Sequence, residues 1–341
     1  LLDQAIGRLV AEFRGQINDT PLGFESALEN MPDTFLRFPG KILADEKSQR
    51  LFIADSNHHR IIVANFDGKV QAIIGNGKAG LQDGDYSDAQ FKQPQGLTLN
   101  GSVLYVADTS NNAIRRVDLE KRVVKTVAGT GAQVYMRHDE YPAKGTPLNS
   151  PWDVLWHDSM LYIAMAGQHQ LWTYDPGSET LEAFAGTRRE ALIDGPRLKA
   201  ALNQPSGLAT DGKRLYFADS EASAIRYVDF KTSEVETIVG TGLFDFGDVD
   251  GKGDAVRLQH PLGVTYANGK LYVADTYNDK IKVIDPGKRT AETLTGGEGK
   301  LFEPGGISYA DGKLWIADTN QHAIRIYDPE RKKLAEFALT Q

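Results

Sequence analysis

Three aspartates near residue 250 have the spacing of part of a calcium-binding loop. The stretch Asp248-Val-Asp250-Gly-Lys-Gly-Asp254 alternates carboxylates with glycine, and Ca²⁺ prefers carboxylate oxygens held on tight turns. The position where a complete loop has a bidentate Glu is Gln259. Because a parallel Asp-Gly pair occurs at Asp83-Gly84 and at Asp194-Gly195, a recurrent turn is the alternative. Asp248, Asp250 and Asp254 are the metal candidates, and no other cofactor is expected.

Composition excludes several kinds of chemistry. The 341 residues include no cysteine, so the chain has no thiolate nucleophile, disulfide or cysteine-ligated metal. The formal net charge of −8 argues against nucleic acid as the main partner, because phosphate binding needs a basic surface. No apolar run approaches the roughly 18 residues of a membrane span. No signal-peptide pattern is visible, which favours a cytoplasmic location. We expect neither nucleic acid nor membrane as a partner.

Six copies of one pattern make up most of the chain. Each copy has four short runs rich in Val, Ile, Tyr and Phe, separated by turn residues, which is typical of strands. The copies begin at Pro39, Pro94, Pro151, Pro205, Pro261 and Pro304. Four-stranded repeats of this length indicate a β-propeller. The sequence therefore predicts an all-β fold, a six-bladed β-propeller with four antiparallel strands per blade, over residues 38–341.

An Ala-Asp pair ends the second strand in five of the repeats. These aspartates are Asp55, Asp108, Asp219, Asp275 and Asp318. Each precedes Ser or Thr in a turn, where a short carboxylate accepts hydrogen bonds from turn N–H groups. A ring of reactive carboxylates is the alternative. A residue that recurs in blade after blade serves the repeat, so we predict a structural role.

Three histidines occupy equivalent positions in different blades. His59, His169 and His322 each lie four residues after the repeated Asp or its replacement. Equivalent positions are spread around a propeller, so these side chains cannot converge on one zinc ion with bonds of about 2 Å. We predict that they stabilise turns. His138, in an insertion, and His260, just before a blade, remain as candidate ligands.

One face of the predicted propeller carries the long insertions. Counting strands places the connection between blades and the turn between second and third strands on the same face, which we call the insertion face. Four long insertions leave from it, at residues 78–92, 132–149, 189–203 and 243–259. Because binding residues concentrate on loops of a rigid scaffold, the insertion face and the mouth of the central channel form the expected binding site.

The third blade departs from the repeat. Its first strand has Asp153 where Gly is usual, its second ends in Met165 instead of Asp, and its third has Trp172 where four others have Arg or Lys. Departures from local consistency are expected at functional sites, with a drifted blade as the alternative. We predict no catalytic residues and the following binding residues: Trp152, Asp153, Met165, His138 and Trp172.

The repeats resemble a known family. The Pro-x-Gly, Ala-Asp-x-x-Asn and Ile-Arg motifs are similar to NHL repeats from residue 38 onward, and the strings SPWDV, IAMAGQHQLW and FGDVDGKG resemble a subgroup with bacterial members. In that subgroup a thioredoxin-like domain precedes a six-bladed propeller. The resemblance implies a thiol-disulfide redox context and a thioredoxin-like domain of the same protein as a partner.

The N-terminal region is predicted to be separate from the propeller. Leu2, Ile6, Leu9, Val10 and Phe13 recur at helical spacing, which predicts a short amphipathic helix. We assign residues 1–37 to this helix and a linker, resembling the end of the thioredoxin-like region. The last repeat has its own fourth strand near residues 332–339, so closure does not need residues 34–38, although these remain able to pair at the seam.

Two classes of function follow from these observations. The first is a non-catalytic scaffold that binds an unidentified protein or peptide client on the insertion face. The alternative is a metal-dependent propeller hydrolase or lyase with its site in the central channel. Such a site needs two or three His, Asp or Glu side chains at the axis, and Asp153 is the one carboxylate predicted there.

Overall fold

The structure, a computed structural model, describes residues 2–18, 20 and 34–340. Contacts divide the chain into two units, Leu1–Phe35 and Leu36–Gln341. In the first, helix α1 spans Leu2–Glu12, which confirms the helix predicted from apolar spacing. Its apolar side chains are exposed. None of the described helices has the length and apolar character needed to cross a membrane.

Residues 39–340 form six antiparallel sheets, one for each predicted repeat. The first three blades contain β1 (Pro39–Asp45), β2 (Arg50–Asp55), β3 (Arg60–Asn65) and β4 (Val70–Ile74); β5 (Gly84–Asp85), β6 (Leu97–Asn100), β7 (Val103–Asp108), β8 (Ala113–Asp118) and β9 (Val123–Gly129); β10 (Glu140–Pro142), β11 (Pro151–His157), β12 (Met160–Met165), β13 (Gln170–Asp175) and β14 (Thr180–Ala185). The predicted six-bladed propeller is thereby confirmed for this half of the ring.

The remaining blades repeat the same order of strands. They contain β15 (Gly195–Pro196), β16 (Pro205–Thr210), β17 (Arg214–Asp219), β18 (Ala224–Asp229) and β19 (Glu234–Val239); β20 (Gly251–Lys252), β21 (Gly263–Ala267), β22 (Lys270–Asp275), β23 (Lys280–Asp285) and β24 (Thr290–Gly296); β25 (Pro304–Ala310), β26 (Lys313–Asp318), β27 (Ala323–Asp328) and β28 (Lys333–Phe337). Between the second and third long strands of each blade lies one turn of 3-10 helix: Ser56–His58, Thr109–Asn111, Ala166–Gln168, Ser220–Ala222, Thr276–Asn278 and Thr319–Gln321. A further 3-10 turn, Gly253–Ala255, lies in the fourth insertion.

The ring closes without a strand from residues 34–38, as the fourth strand of the last repeat predicts. The sixth blade takes its outer strand β28 from its own repeat, and residues 34–38 form no strand. Thr340 then joins the last blade to the first: its N–H donates to the Gly68 carbonyl and its own carbonyl accepts the Val70 N–H, both at 2.8 Å. Two backbone hydrogen bonds therefore link Thr340 to the start of β4.

Apolar clusters fill the spaces between neighbouring blades. One cluster contains Ile61 and Ile74 from the first blade and Leu104 and Val106 from the second, with Phe91 between them. The apolar residue three before each Pro is buried in all six blades and fills these gaps: Leu36, Phe91, Leu148, Leu202, Leu258 and Leu301. Because the core is shared in this way, a single blade buries its faces only inside the ring.

The insertions lie differently from the prediction. They leave and return at the insertion face, but the middle of each pairs with the outermost strand of the blade that follows: β5 with β9, β10 with β14, β15 with β19, and β20 with β24. The pairing is at the start of that outer strand, near the opposite face. Because an unpaired sheet edge is prone to aggregation, a principal role of the insertions is to cover four of the blade edges.

The repeated aspartates cap a different group from the one expected. Instead of the turn that follows, each accepts the backbone N–H located two residues before its own blade's Pro. The donors are Arg37, Lys92, Asn203, Gln259 and Phe302, at 2.6 to 2.8 Å. The structural role is therefore correct, but each carboxylate fixes the segment that enters its own blade.

The residue four after each Asp fastens one blade to the next. His59 Nδ1 accepts the Gln93 N–H at 3.2 Å, and His322 Nδ1 accepts the Phe38 N–H at 3.0 Å across the closing seam. Asn112 does the same in the second blade, accepting the Ser150 N–H at 2.9 Å. These histidines therefore stabilise blade junctions. His169 Nδ1, in the third blade, is buried without a hydrogen-bond partner.

Replacing His322 by Ala tests this fastening role. We expect the free energy of unfolding to fall by about 1–3 kcal/mol, because the partly buried Phe38 N–H loses its acceptor. His322→Asn should retain most of the stability, since Asn112 performs the same task in the second blade and Asn tolerates the positive φ of 55° at this position. Urea denaturation of the two variants measures both values, and equal losses for Ala and Asn would contradict the fastening role.

Candidate functional site

Lys41 and Asp153 meet in the central channel. Both lie two residues after the first Pro of their blades, and both are buried. The other four blades have glycine there: Gly96, Gly207, Gly263 and Gly306. A Cβ on Gly96 would lie 2.3 Å from Asp153 Oδ1 and one on Gly306 would lie 2.7 Å from Lys41 Cα. The ring therefore has room for these two side chains because the other positions are glycine.

All the polar contacts of this pair are internal. Lys41 Nζ donates to the Ser206 carbonyl at 2.9 Å and to the Leu262 carbonyl, and it lies 3.8 Å from Asp153 Oδ2. Asp153 accepts the N–H groups of Leu208 and Val154, each at 2.9 Å. Burial lowers the pKa of Lys41 and raises the pKa of Asp153, each partly offset by the opposite charge. Asp153 therefore lies in the channel, as predicted, and ties blades together there.

A small cavity adjoins this pair. Its volume is about 220 Å³, and its walls are the apolar and hydroxyl side chains of the first strands, including Leu97, Val154, Thr210 and Ile307. Within residues 2–18, 20 and 34–340, no three His, Asp or Glu side chains are grouped to hold a metal ion. The charged groups facing the channel are thus already engaged with each other and with backbone.

Two of the predicted binding residues lie in the core. Met165 and Trp172 have no exposed surface and pack in the cluster between the second and third blades. Trp172 Nε1 donates to Gln170 Oε1 at 3.1 Å. Met165 occupies the position of the repeated Asp, and Trp172 the position where four other blades have Arg or Lys. In the third blade, apolar packing therefore takes the place of these charged residues. The side chains of Met165 and Trp172 cannot contact a partner without unfolding the blade.

The other two predicted residues are nearer the surface but apart. Trp152 is half-buried at the start of β11, and its carbonyl accepts the Gly96 N–H at 3.0 Å. His138 is exposed in the second insertion, with its ring edge-on to Tyr141 at 5.8 Å. The structure therefore brings Trp152 next to Asp153 along β11, but it does not join His138 to them.

A lysine occupies the position proposed for calcium. Lys282 Nζ lies 2.6 Å from Asp248 Oδ1 and 2.7 Å from Asp250 Oδ1, and Lys280 also binds Asp248. Asp254 instead pairs with Arg289 at 3.0 Å. The three carboxylates thus bind three cations of the chain itself, Lys280, Lys282 and Arg289. These ion pairs replace the calcium interpretation. They favour the alternative that the sequence offered, a recurrent turn with a structural role.

The same network recurs in two other blades. Arg226 is fully buried and joins Asp219, at 2.7 Å, to Asp194 of the third insertion, at 2.9 Å. Arg115 joins Asp108 and Asp83 in the second blade in the same way, at 2.8 and 3.0 Å. The insertion Asp also accepts N–H and hydroxyl bonds from the outer strand, as Asp194 does from Thr237. Each of these cations therefore fastens an insertion to its blade.

Exposed aromatic side chains form a candidate interaction surface that sequence reasoning missed. Phe244 is 91% exposed, Phe246 55% and Tyr277 52%. Tyr277 occupies the turn position where the other blades have Asn, Ser, Gly or Glu, and this aromatic among polar residues was the available signal. We call the group at this part of the insertion face the aromatic rim: Phe244, Phe246, His260, Tyr277 and Phe302.

Hydrogen bonds hold the aromatic rim together. Asn278 Nδ2 donates to the Gly247 carbonyl at 2.7 Å, which ties the loop that bears Phe246 to the turn that bears Tyr277. The His260 ring stacks on the Tyr277 ring, with centroids 4.6 Å apart and planes 10° apart. Asp279 accepts the Glu303 N–H at 2.6 Å, which brings the connection bearing Phe302 alongside. These bonds join the fourth insertion and the connection to the sixth blade to the turn of the fifth blade.

Comparison with known proteins identifies the type of propeller. The chain is 40% identical over 315 residues to NHL repeat-containing protein 2 of Gallus gallus, covering 83% of this chain and 43% of that protein. The chain is an NHL-repeat propeller that resembles this protein. It is also 40% identical over 319 residues to Protein SUPPRESSOR OF QUENCHING 1, chloroplastic, of Arabidopsis thaliana, covering 86% and 30%. It thus spans less than half the length of these relatives. No protein-family profile matches the chain.

Solved structures share the architecture of this NHL-repeat propeller at low sequence identity. A catalytically inactive virginiamycin B lyase from Staphylococcus aureus with quinupristin has a TM-score of 0.56 and 14% identity, covering 91% of this chain and 87% of that one. At this identity the likeness concerns the fold alone. The channel residues of this chain therefore have to be interpreted from their own contacts.

Proposed function

We propose that the chain is a non-catalytic docking module that binds a protein or peptide partner on its insertion face. The observation that carries this proposal is the aromatic rim, where Phe244 has nine-tenths of its surface exposed. Contiguous exposed apolar surface on a soluble protein marks interaction sites, and aromatic residues dominate binding energy at protein interfaces. The rim is held on a rigid scaffold, so it is formed before a partner arrives.

The channel gives less support to the alternative, a metal-dependent hydrolase or lyase. A channel metal would have to compete for Asp153, whose oxygens already accept two backbone N–H groups and lie near Lys41. The insertion carboxylates are likewise bound to Lys282 and Arg289. We therefore place the function at the surface and not in the channel.

Two partners fit the proposal. The resemblance to thioredoxin-like NHL proteins suggests a thioredoxin-like domain of the same protein, together with an unidentified client. Because this chain has no cysteine, any thiol-disulfide chemistry in that context would take place on the partner. The propeller would then bring the client and the redox domain together.

A random peptide library displayed on phage tests the proposal. Peptides selected on the wild-type chain should lose at least about thirtyfold in affinity on Phe244→Ala/Phe246→Ala, because each removed interface anchor is worth about 2 kcal/mol. The matched control is Ile193→Ala/Leu198→Ala, which removes exposed apolar surface from the third insertion. Peptides that bind both double variants as well as the wild type would overturn the proposal.

A further inference from the structure

We propose that the aromatic rim receives a segment in which an Arg or Lys side chain adjoins an apolar one. This inference rests on the proposed function and specifies the chemistry of the partner. The rim combines two kinds of surface, exposed phenyl rings and carboxylates beside a half-exposed tyrosine. An occupant must satisfy both at once.

The apolar part of the occupant follows from the phenylalanines. Phe244 and Phe246 flank Asp245 in a loop that is anchored on both sides: the Asp245 N–H donates to the Gly242 carbonyl, and the Gly247 N–H to the Leu258 carbonyl at 3.0 Å. Their exposure is therefore a property of a fixed loop. Burying a phenylalanine side chain is favourable by about 1.5–3 kcal/mol, so an apolar side chain of the partner gains most here.

The cationic part follows from the carboxylates around the His260 and Tyr277 stack. Glu221 Oε1 lies 3.7 Å from His260 Nδ1. The negative charges of Glu221 and Glu303 both act to raise the pKa of this imidazole. Burial lowers the pKa of His260, so the ring is neutral at pH 7. Among the described residues, neither glutamate has a Lys or Arg within ion-pair distance. Two carboxylates and an aromatic face are therefore available to bind a cation of the partner.

Two carboxylates of the fourth insertion show how a carboxylate of this chain is neutralised when a cation is in reach. Asp248 and Asp250 bind Lys280 and Lys282 of the chain itself, whereas in the part of the chain that the structure describes Glu221 and Glu303 have no Lys or Arg at ion-pair distance. A guanidinium or ammonium placed over Tyr277 gains cation–π attraction and is attracted by both carboxylates. An acidic segment would be repelled by the same groups and by the net charge of −8.

Three matched peptides test the inference by fluorescence polarisation. They share one sequence of leucines and glycines with a central Arg, its neutral isostere citrulline, or norleucine. Wild-type protein should bind the Arg peptide at least about tenfold more tightly than the citrulline peptide, as expected for a partly desolvated cation–π and charge contact. Glu221→Gln/Glu303→Gln should reduce this preference to less than about twofold. Glu120→Gln/Glu330→Gln, which makes the same change of net charge on exposed turns, should leave it unchanged.

The outcomes separate the inference from the proposed function. If the peptides bind through Phe244 and Phe246 without a preference for Arg, the inference is overturned and the docking function survives. If the preference persists in Glu221→Gln/Glu303→Gln, the cation binds elsewhere and the inference also fails. If no peptide binds the wild-type chain, the proposed function falls and takes the inference with it. Tyr277→Phe should retain the Arg preference and Tyr277→Ala should lose it.

Discussion

Replacing Asp153 by Ala is expected to lower the free energy of unfolding by about 3–5 kcal/mol, the usual cost of leaving a buried charge without its partner. Lys41 would keep its two backbone carbonyl acceptors but lose the nearby carboxylate. The Leu208 N–H would also lose its acceptor. Urea denaturation followed by tryptophan fluorescence measures the change directly.

The double variant Lys41→Met/Asp153→Leu is the matched control. Because a buried ion pair is often replaced by apolar side chains without loss, we expect it to recover most of the stability that Asp153→Ala loses. A double variant as unstable as Asp153→Ala would show that the backbone hydrogen bonds of Asp153 matter more than its charge. A loss below about 1 kcal/mol in Asp153→Ala would contradict a tie across the channel.

Arg226→Ala is expected to have a second large effect, again a loss of about 3–5 kcal/mol in the free energy of unfolding. It leaves Asp219 fully buried without a cation and removes the ion pair that holds Asp194 of the third insertion. Hydrogen exchange should therefore accelerate in residues 189–203 together with the global loss. Unchanged exchange there would contradict the proposal that the cation fastens the insertion.

Arg325→Ala provides the comparison within the same chain. Arg325 occupies the equivalent position in the sixth blade, where its side chain is 20% exposed and pairs with Asp318 and the exposed Glu336. No long insertion precedes this blade. We expect a smaller loss than for Arg226→Ala, because water reaches the site and no insertion is released. Equal losses would mean that burial of the cation is not the determining factor.

The repeat made the fold predictable, and the same repeat contained a signal that was overlooked. Strand ends, turn residues and blade-filling leucines recur because every blade uses the same contacts. Lys41 occupies the same repeat position as Asp153, yet only Asp153 was singled out from the sequence. Aligning the residue two after each Pro would have revealed an opposite pair in the channel. The contact itself depends on ring closure, which no local pattern encodes.

The departures in the third blade could not be assigned from sequence. Met165 and Trp172 replace a buried ion pair by apolar packing, a change that structural physics permits and that looks the same as a functional substitution. The calcium interpretation of the aspartates near residue 250 was wrong for a related reason. Asp248 and Asp250 bind Lys282, which comes from a strand 32 to 34 residues further along the chain, so the loop alone looked like an incomplete metal site.

The aromatic rim was hidden because its members come from separate segments. Phe244 and Phe246 lie in an insertion, Tyr277 in a turn and Phe302 in a connection between blades. A hydrogen bond that Asn278 donates to Gly247 and one that Asp279 accepts from Glu303 join these segments. Sequence shows isolated aromatics in polar loops, and only the folded ring makes them one surface.

Hydrogen exchange of the chain with and without a bound peptide from the phage selection tests the docking surface most directly. The account predicts that the peptide slows exchange in residues 242–247, 259–260, 276–279 and 301–303, while the opposite face, including the turn after β27, stays unchanged. Protection confined to the channel strands or to the opposite face would contradict a docking function at the aromatic rim.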